Sequence, residues 1–90
     1  MNILIIDDEK TVLKTVDSQL KEMKLEMERI DTANSAEEAK EWMKQYHYDI
    51  FLCDIVMPET DGITFAKWVL ERYPDVKIIF LTAYADVKYM

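Results

Sequence analysis

The stretch that most constrains the fold is a short apolar run that ends on a carboxylate. Residues 49–62 read DIFLCDIVMPETDG, in which Ile50–Cys53 is apolar and Asp54 follows at once. A short apolar run bounded by charged and turn residues is typical of a strand buried on both faces of a sheet. Open parallel sheets bind ligands in the crevice outside the carboxyl ends of their strands. We therefore expect the Asp54 carboxylate to lie at a functional edge of a sheet.

Strand-like and helix-like segments alternate along the whole chain. The apolar patterns predict strands over residues 2–6, 26–31, 49–53 and 76–81. Helical spacing predicts helices over residues 11–24, 35–45 and 61–73, and the start of another at 87–90. The second begins with the capping box Ser35-Ala-Glu-Glu38, and Asp61 is the predicted N-cap of the third. This alternation predicts an α/β fold, a parallel sheet with helices on both faces.

Composition excludes several classes of protein. The 90 residues suffice for one small domain, and a hydrophobic content of 50% excludes a disordered segment. A net charge of −7 argues against direct binding of nucleic acid, because phosphate contacts need Lys and Arg. The N-terminal apolar run, Ile3–Ile6, is too short for a signal peptide or a membrane span, so we expect a cytoplasmic location. The single cysteine, Cys53, is interpreted as a buried apolar residue.

Polar side chains follow three of the predicted strands. Asp7 and Asp8 follow the first, Asp54 follows the third, and Thr82 follows the fourth. Parallel neighbours would bring them to one edge, where at least one carboxyl pKa should rise unless a cation is bound. Mg²⁺ suits such a site because it binds one or two carboxylates, backbone oxygen and water. A carboxylate beside Mg²⁺ can act as a nucleophile on phosphorus and form an aspartyl phosphate.

On these motifs, the chain resembles the receiver domain of two-component response regulators. The residues that carry the resemblance are IIDDE after the first strand, DIVMPETDG after the third and LTAYAD after the fourth. The resemblance implies a flavodoxin-like, doubly wound parallel sheet with the strand order 2-1-3-4-5. It also implies that residues 1–90 are a single receiver domain, incomplete at its C-terminus. The family's fifth strand and fifth helix, and the Lys that pairs with the phosphoryl group, are absent from this chain.

The resemblance also implies a role for each matching residue. Asp54 would accept the phosphoryl group, and Thr82 would be the switch hydroxyl. Asp8 and Asp54 would bind Mg²⁺ together with the main-chain carbonyl of Val56, and Asp7 would hold the ion through water. A histidine kinase would donate the phosphoryl group. An output domain outside this chain, often a DNA-binding one, would respond to it.

The residues leave two alternative functions to be considered. Phosphatases of the haloacid dehalogenase type also use an Asp nucleophile and Mg²⁺, but they place D-x-D after the first strand, whereas the two acids here are adjacent. The other alternative is a receiver-like interaction module, or a fragment not competent for phosphorylation. The full set of acidic residues argues against it, whereas the missing Lys leaves it open for this fragment, since Lys77 lies at the opposite end of its strand and cannot replace that Lys. Without a fifth strand, we expect an open edge through which two copies associate or exchange elements, unless the natural chain is longer.

Overall fold

Every strand pairing in the described part of the chain is parallel. The computed structural model describes residues 1–24 and 26–81. Within these ranges the strand order is β2-β1-β3-β4, so the predicted doubly wound, flavodoxin-like fold is confirmed. None of the three described helices is long and apolar enough to cross a membrane. The elements in chain order are β1 (Asn2–Ile6), α1 (Lys10–Glu22), β2 (Arg29–Ala33), α2 (Ala36–Gln45), β3 (Ile50–Asp54), α3 (Gly62–Arg72) and β4 (Lys77–Leu81).

The predicted bounds differ most from the structure at the second strand. It was expected over residues 26–31, but it runs from Arg29 to Ala33. Only Ala33 in this strand is buried, so the sequence carries no apolar alternation that would locate it. The first helix also ends earlier than predicted, at Glu22. Lys24, the expected last residue, has a φ of 54°, which lies in the left-handed region and does not continue a helix.

Side-chain caps start the second and third helices, as the sequence predicted. The Ser35 hydroxyl accepts a hydrogen bond from the Glu38 N–H at 3.1 Å, and the Glu38 carboxylate accepts one from the Asn34 N–H at 2.8 Å. The Asp61 carboxylate accepts from the Thr64 N–H at 2.7 Å. Each such cap stabilises its helix by about 1 kcal/mol. The cap at Asp61 defines where the loop after β3 ends.

Helices cover both faces of the sheet. Successive residues of β1 point to opposite sides and therefore belong to two different cores. The larger core lies between the sheet and the helices α2 and α3; its main members are Leu4, Ile6, Phe51, Cys53, Ala39, Phe65 and Val69. The smaller core lies on the α1 side and consists of Ile3, Ile5, Leu13 and Leu52. Burial of β1 and β3 between these cores holds their carboxyl ends side by side.

The α1 side of the sheet is more thinly covered at β4. Ile79 pairs with Leu52 across the sheet, yet Ile79 is 51% exposed whereas Leu52 is 9% exposed. Leu81, further along the same strand, packs partly against the α1 core. Helix α1 therefore covers the central strands more completely than it covers the middle of β4.

Candidate functional site

Three carboxylates meet where β1 and β3 end. These strands are neighbours in register, with Ile6 opposite Cys53, so the next residues, Asp7 and Asp54, lie level with each other. Asp7, Asp8 and Asp54 each offer an oxygen, and these oxygens lie within 4.8 Å of one another. We call these three residues the acidic cluster. The expectation that parallel strands would bring them to one edge is confirmed in its geometry.

The members of the acidic cluster differ in their exposure to solvent. Asp7 is buried, with 5% of its surface exposed, whereas Asp54 is half-buried and Asp8 is exposed. The Asp7 N–H donates to the Ala33 carbonyl at 3.1 Å, and Asp7 Oδ1 accepts from the Glu9 N–H at 2.9 Å. Asp7 is therefore held on both its main chain and its side chain, while solvent and ions reach the cluster from the side of Asp8.

The surroundings of Asp7 and Asp54 disfavour the ionised forms of these two carboxyls. Burial raises the pKa of Asp7 from 3.8 to about 6; the Glu9 N–H opposes this shift, and the charges of Asp54 and Asp8 add to it. Burial also raises the pKa of Asp54, again with a contribution from Asp8. The expectation that at least one carboxyl pKa would rise is thus confirmed. A cation at this position would oppose these shifts, because a nearby positive charge favours the charged form of a carboxyl.

The donor set fits a hard divalent cation. Carboxylate oxygens converge from three residues, and Mg²⁺ is bound in proteins by oxygen ligands together with several waters. The buried Asp7, with its raised pKa, is the member whose charge has least access to bulk water. The acidic cluster therefore supplies both the ligands for such an ion and an electrostatic reason to bind it.

The loop after Asp54 turns sharply and leaves one apolar side chain in solvent. The Val56 N–H lies 3.4 Å from Asp54 Oδ1, and the Val56 side chain is 72% exposed. Met57, the next residue, is buried in the core on the α3 side. Glu59 has a φ of 69°, which allows the chain to reverse towards α3. The Val56 main chain thus lies beside the acidic cluster, and its role as a metal ligand stays a prediction.

The predicted switch residue, Thr82, lies outside the described residues. The last described residue of β4 is Leu81, which pairs with Asp54, so β4 runs towards the end of the sheet that carries the acidic cluster. Lys77 pairs with Ile50 at the beginning of both strands. The interpretation that Lys77 lies at the wrong end of its strand to approach Asp54 is confirmed.

Cys53 and His47 are excluded from the site by their surroundings. Cys53 is fully buried, burial raises its thiol pKa to about 12, and its Sγ lies 3.2 Å from the Asp54 carbonyl. Its interpretation as an apolar core residue is confirmed. His47 is an exposed residue before the amino end of β3, far from the carboxyl ends of the strands, and its Nε2 lies 3.7 Å from the Asp49 carboxylate.

Comparison with known proteins decides the family. A family model described as "Response regulator receiver domain" matches residues 3–90, which is nearly the whole chain. The chain belongs to the receiver domain family of response regulators. The four described strands and the position of the acidic cluster in this receiver domain agree with that membership. Two-component signalling is therefore the biological setting of the domain.

Individual relatives and solved structures agree with this assignment. The transcriptional regulatory protein DegU of Brevibacillus brevis is 32% identical over 90 residues, which cover all of this chain and 38% of DegU. The chain spans about two-fifths of the length of curated relatives such as DegU. Response regulator TrrA of Thermotoga maritima, solved in complex with Mg²⁺-BeF, is 28% identical with a TM-score of 0.78, covering 98% of this chain and 76% of that chain. A match in the crystal structure of histidine kinase ThkA in complex with TrrA is 36% identical with a TM-score of 0.79, covering 92% of this chain and 69% of that chain.

Proposed function

We propose that this receiver domain accepts a phosphoryl group on Asp54 from a histidine kinase and uses Mg²⁺ to do so. The observation that carries the proposal is the convergence of three carboxylate oxygens within 4.8 Å at the carboxyl ends of β1 and β3. The similar structures add support, because one of them contains Mg²⁺-BeF and another contains a histidine kinase. In this reaction an Asp54 oxygen attacks phosphorus, the bond from phosphorus to the kinase histidine breaks, and an acyl phosphate forms.

The roles proposed for the other residues follow their exposure. Asp8 and Asp54 are the proposed direct ligands, together with the main-chain carbonyl of Val56. The exposure of Asp8 leaves room for the waters that Mg²⁺ retains. Asp7 is buried and already accepts the Glu9 N–H, which suits a ligand that holds the ion through water. The ion, when bound, offsets the negative charge of the transferring phosphoryl group.

The proposed consequence of phosphorylation is a population shift rather than turnover of a substrate. Thr82 is the proposed switch hydroxyl, and the added charge of about −1.5 to −2 would favour the state in which it approaches the phosphoryl group. We propose residues 1–90 as one receiver domain, located in the cytoplasm, that acts on an output domain outside these residues. DNA binding is the proposed output, because relatives such as DegU are described as transcriptional regulatory proteins.

The test is a comparison of wild type with Asp54→Asn in the presence of Mg²⁺ and acetyl phosphate. Intact-mass measurement should show one added phosphoryl group in the wild type and none in Asp54→Asn. Asp75→Asn is the matched control, because it removes an exposed carboxylate before β4, and it should be phosphorylated like the wild type. An adduct that persists in Asp54→Asn would overturn the assignment of the acceptor. Continuous release of phosphate by that variant would indicate an enzyme instead.

A second arm of the test addresses the interaction-module alternative. The same incubation is carried out on a chain extended beyond residue 90. An adduct on the extended chain alone would show that residues 1–90 lack part of the phosphorylation machinery. No adduct on either chain, together with Mg²⁺ that fails to bind, would support a domain that interacts without accepting phosphate.

A further inference from the structure

Gly62, the first residue of α3, lies against the main chain of Asp54. A Cβ atom at position 62 would be 1.9 Å from the Asp54 carbonyl oxygen and 2.9 Å from both the Asp54 carbonyl carbon and the Ile55 Cα. Gly62 does not have a positive φ, so the need for glycine comes from space and not from backbone conformation. The atoms in the way are all main-chain atoms. No side chain can rotate to make room for a larger residue.

The same contact closes the loop that follows Asp54. The Gly62 N–H donates to the Ile55 carbonyl at 2.7 Å, so the two ends of this loop are joined directly. The Asp61 carboxylate caps α3 through the Thr64 N–H, which fixes the direction in which the helix leaves. The main chain at Asp54 is thus supported by the start of α3, while its carboxylate lies close to those of Asp7 and Asp8.

We propose that Gly62 is a positioning residue for Asp54. Its lack of a side chain lets the start of α3 pack on the Asp54 main chain, and this packing holds the Asp54 carboxylate level with Asp7 and Asp8. The inference rests on the proposed function, since it concerns the same Mg²⁺ and phosphoryl site. A Cβ at position 62 would need about 1 Å more space to reach a tolerable 3.0 Å from the Asp54 oxygen. A displacement of about 1 Å costs roughly 10²-fold in rate when it misplaces a reacting group.

The first test measures Gly62→Ala against a destabilising variant in the same helix. Gly62→Ala should bind Mg²⁺ at least about tenfold more weakly by calorimetry and should form the Asp54 adduct with acetyl phosphate about 10²-fold more slowly. Val69→Ala is the control, because Val69 is a fully buried α3 residue in the larger core, outside the acidic cluster. Both proteins are measured under conditions where circular dichroism shows them folded. Val69→Ala should keep the wild-type Mg²⁺ affinity.

A readout without metal separates this inference from the proposed function. The carboxyl ¹³C chemical shifts of Asp7 and Asp54 in the Mg²⁺-free protein report the surroundings of each carboxylate. Gly62→Ala should change the Asp54 shift, and Val69→Ala should not. If the wild type neither binds Mg²⁺ nor forms an adduct, the proposed function fails, but a changed Asp54 shift in Gly62→Ala still supports positioning. Wild-type shifts and wild-type Mg²⁺ affinity in a folded Gly62→Ala protein would overturn it.

A second pair of variants decides the question if Gly62→Ala does not fold. Asp61→Ala and Ser35→Ala each remove the N-cap of one helix, so they make matched changes at α3 and at α2. Loosening the start of α3 should weaken Mg²⁺ binding several-fold, whereas loosening the start of α2 should leave it unchanged. Asp61→Asn keeps a capping oxygen without the charge and should restore the affinity. Equal losses in Asp61→Ala and Ser35→Ala would contradict a positioning role for the start of α3.

Discussion

Carboxylates occupy two regions of this receiver domain in opposite surroundings. On β2, Asp31 accepts hydrogen bonds from Arg29 at 2.9 and 3.2 Å and from the Tyr48 hydroxyl at 2.6 Å. We call these three residues the Asp31 network. In the acidic cluster, by contrast, the carboxylates of three residues face one another, and the described donors nearby are main-chain N–H groups.

The difference shows how the same residue type serves structure in one place and binding in another. A carboxylate surrounded by donors stabilises the fold, because its loss leaves those donors without an acceptor. A carboxylate surrounded by carboxylates costs stability until a cation arrives. Substitutions in the two regions should therefore change the free energy of unfolding in opposite directions.

Asp7→Asn should stabilise the Mg²⁺-free protein at pH 7. The wild-type folded state carries Asp7 with a pKa raised from 3.8 to about 6, which corresponds to at most about 3 kcal/mol of destabilisation when the group is ionised. Asn keeps an oxygen that can accept the Glu9 N–H but carries no charge. Urea denaturation should show the gain without Mg²⁺, and saturating Mg²⁺ should reduce or reverse it. A loss of stability in the Mg²⁺-free variant would contradict the electrostatic account.

The pH dependence of stability should show the same cost of ionising Asp7. The folded state binds a proton on Asp7 at about pH 6, whereas the unfolded chain binds it near 3.8, so stability falls as pH rises through this window. Asp61, whose pKa the Thr64 N–H lowers, acts in the opposite sense, because it loses stabilisation as pH falls. The measurement is therefore the difference in unfolding free energy between wild type and Asp7→Asn from pH 4 to 7. A constant difference would count against Asp7 as the titrating group.

Asp31→Ala should destabilise the protein by about 2 kcal/mol, because the Tyr48 hydroxyl on an otherwise buried residue loses its acceptor. Burial and the Asp31 contact both raise the pKa of Tyr48, so its hydroxyl keeps its proton and needs an acceptor. Glu41→Ala is the control, since it removes an exposed carboxylate paired with Lys44 and should change stability by less than about 0.5 kcal/mol. Equal unfolding free energies for the two variants would show that the Asp31 network stabilises the fold no more than the exposed pair of Glu41 and Lys44 does.

Tyr48→Phe should have the smallest effect, about 1 kcal/mol of destabilisation, because it removes one hydrogen bond and keeps the packed ring. Tyr46→Phe is the matched control. Its ring lies 3.7 Å from the Arg29 guanidinium, a contact that Phe also provides. Urea denaturation should separate the two variants. A loss in Tyr46→Phe as large as the loss in Tyr48→Phe would show that the destabilisation does not come from the hydrogen bond between Tyr48 and Asp31.

Much of the fold follows from interactions between residues close in the sequence. The apolar runs of β1 and β3 predict buried strands, and both lie at the centre of the sheet. The Ser35 and Asp61 side chains each cap a helix by accepting a hydrogen bond from an N–H three residues later. The starts of these helices can therefore be predicted from the sequence. The bounds of β2 are not, because that strand has little buried surface and owes its position to pairing with β1.

The candidate site, like the fold, has some features that can be predicted from the sequence and others that cannot. The family, the acidic residues and the strand ends on which they lie can all be inferred from the amino-acid sequence. The burial of Asp7 beside an exposed Asp8, and the contact between Gly62 and the main chain of Asp54, arise from the packing of the folded domain. The physical reason is range: caps and periodicity act within a few residues, whereas burial, repulsion and steric contact depend on which strands and helices become neighbours.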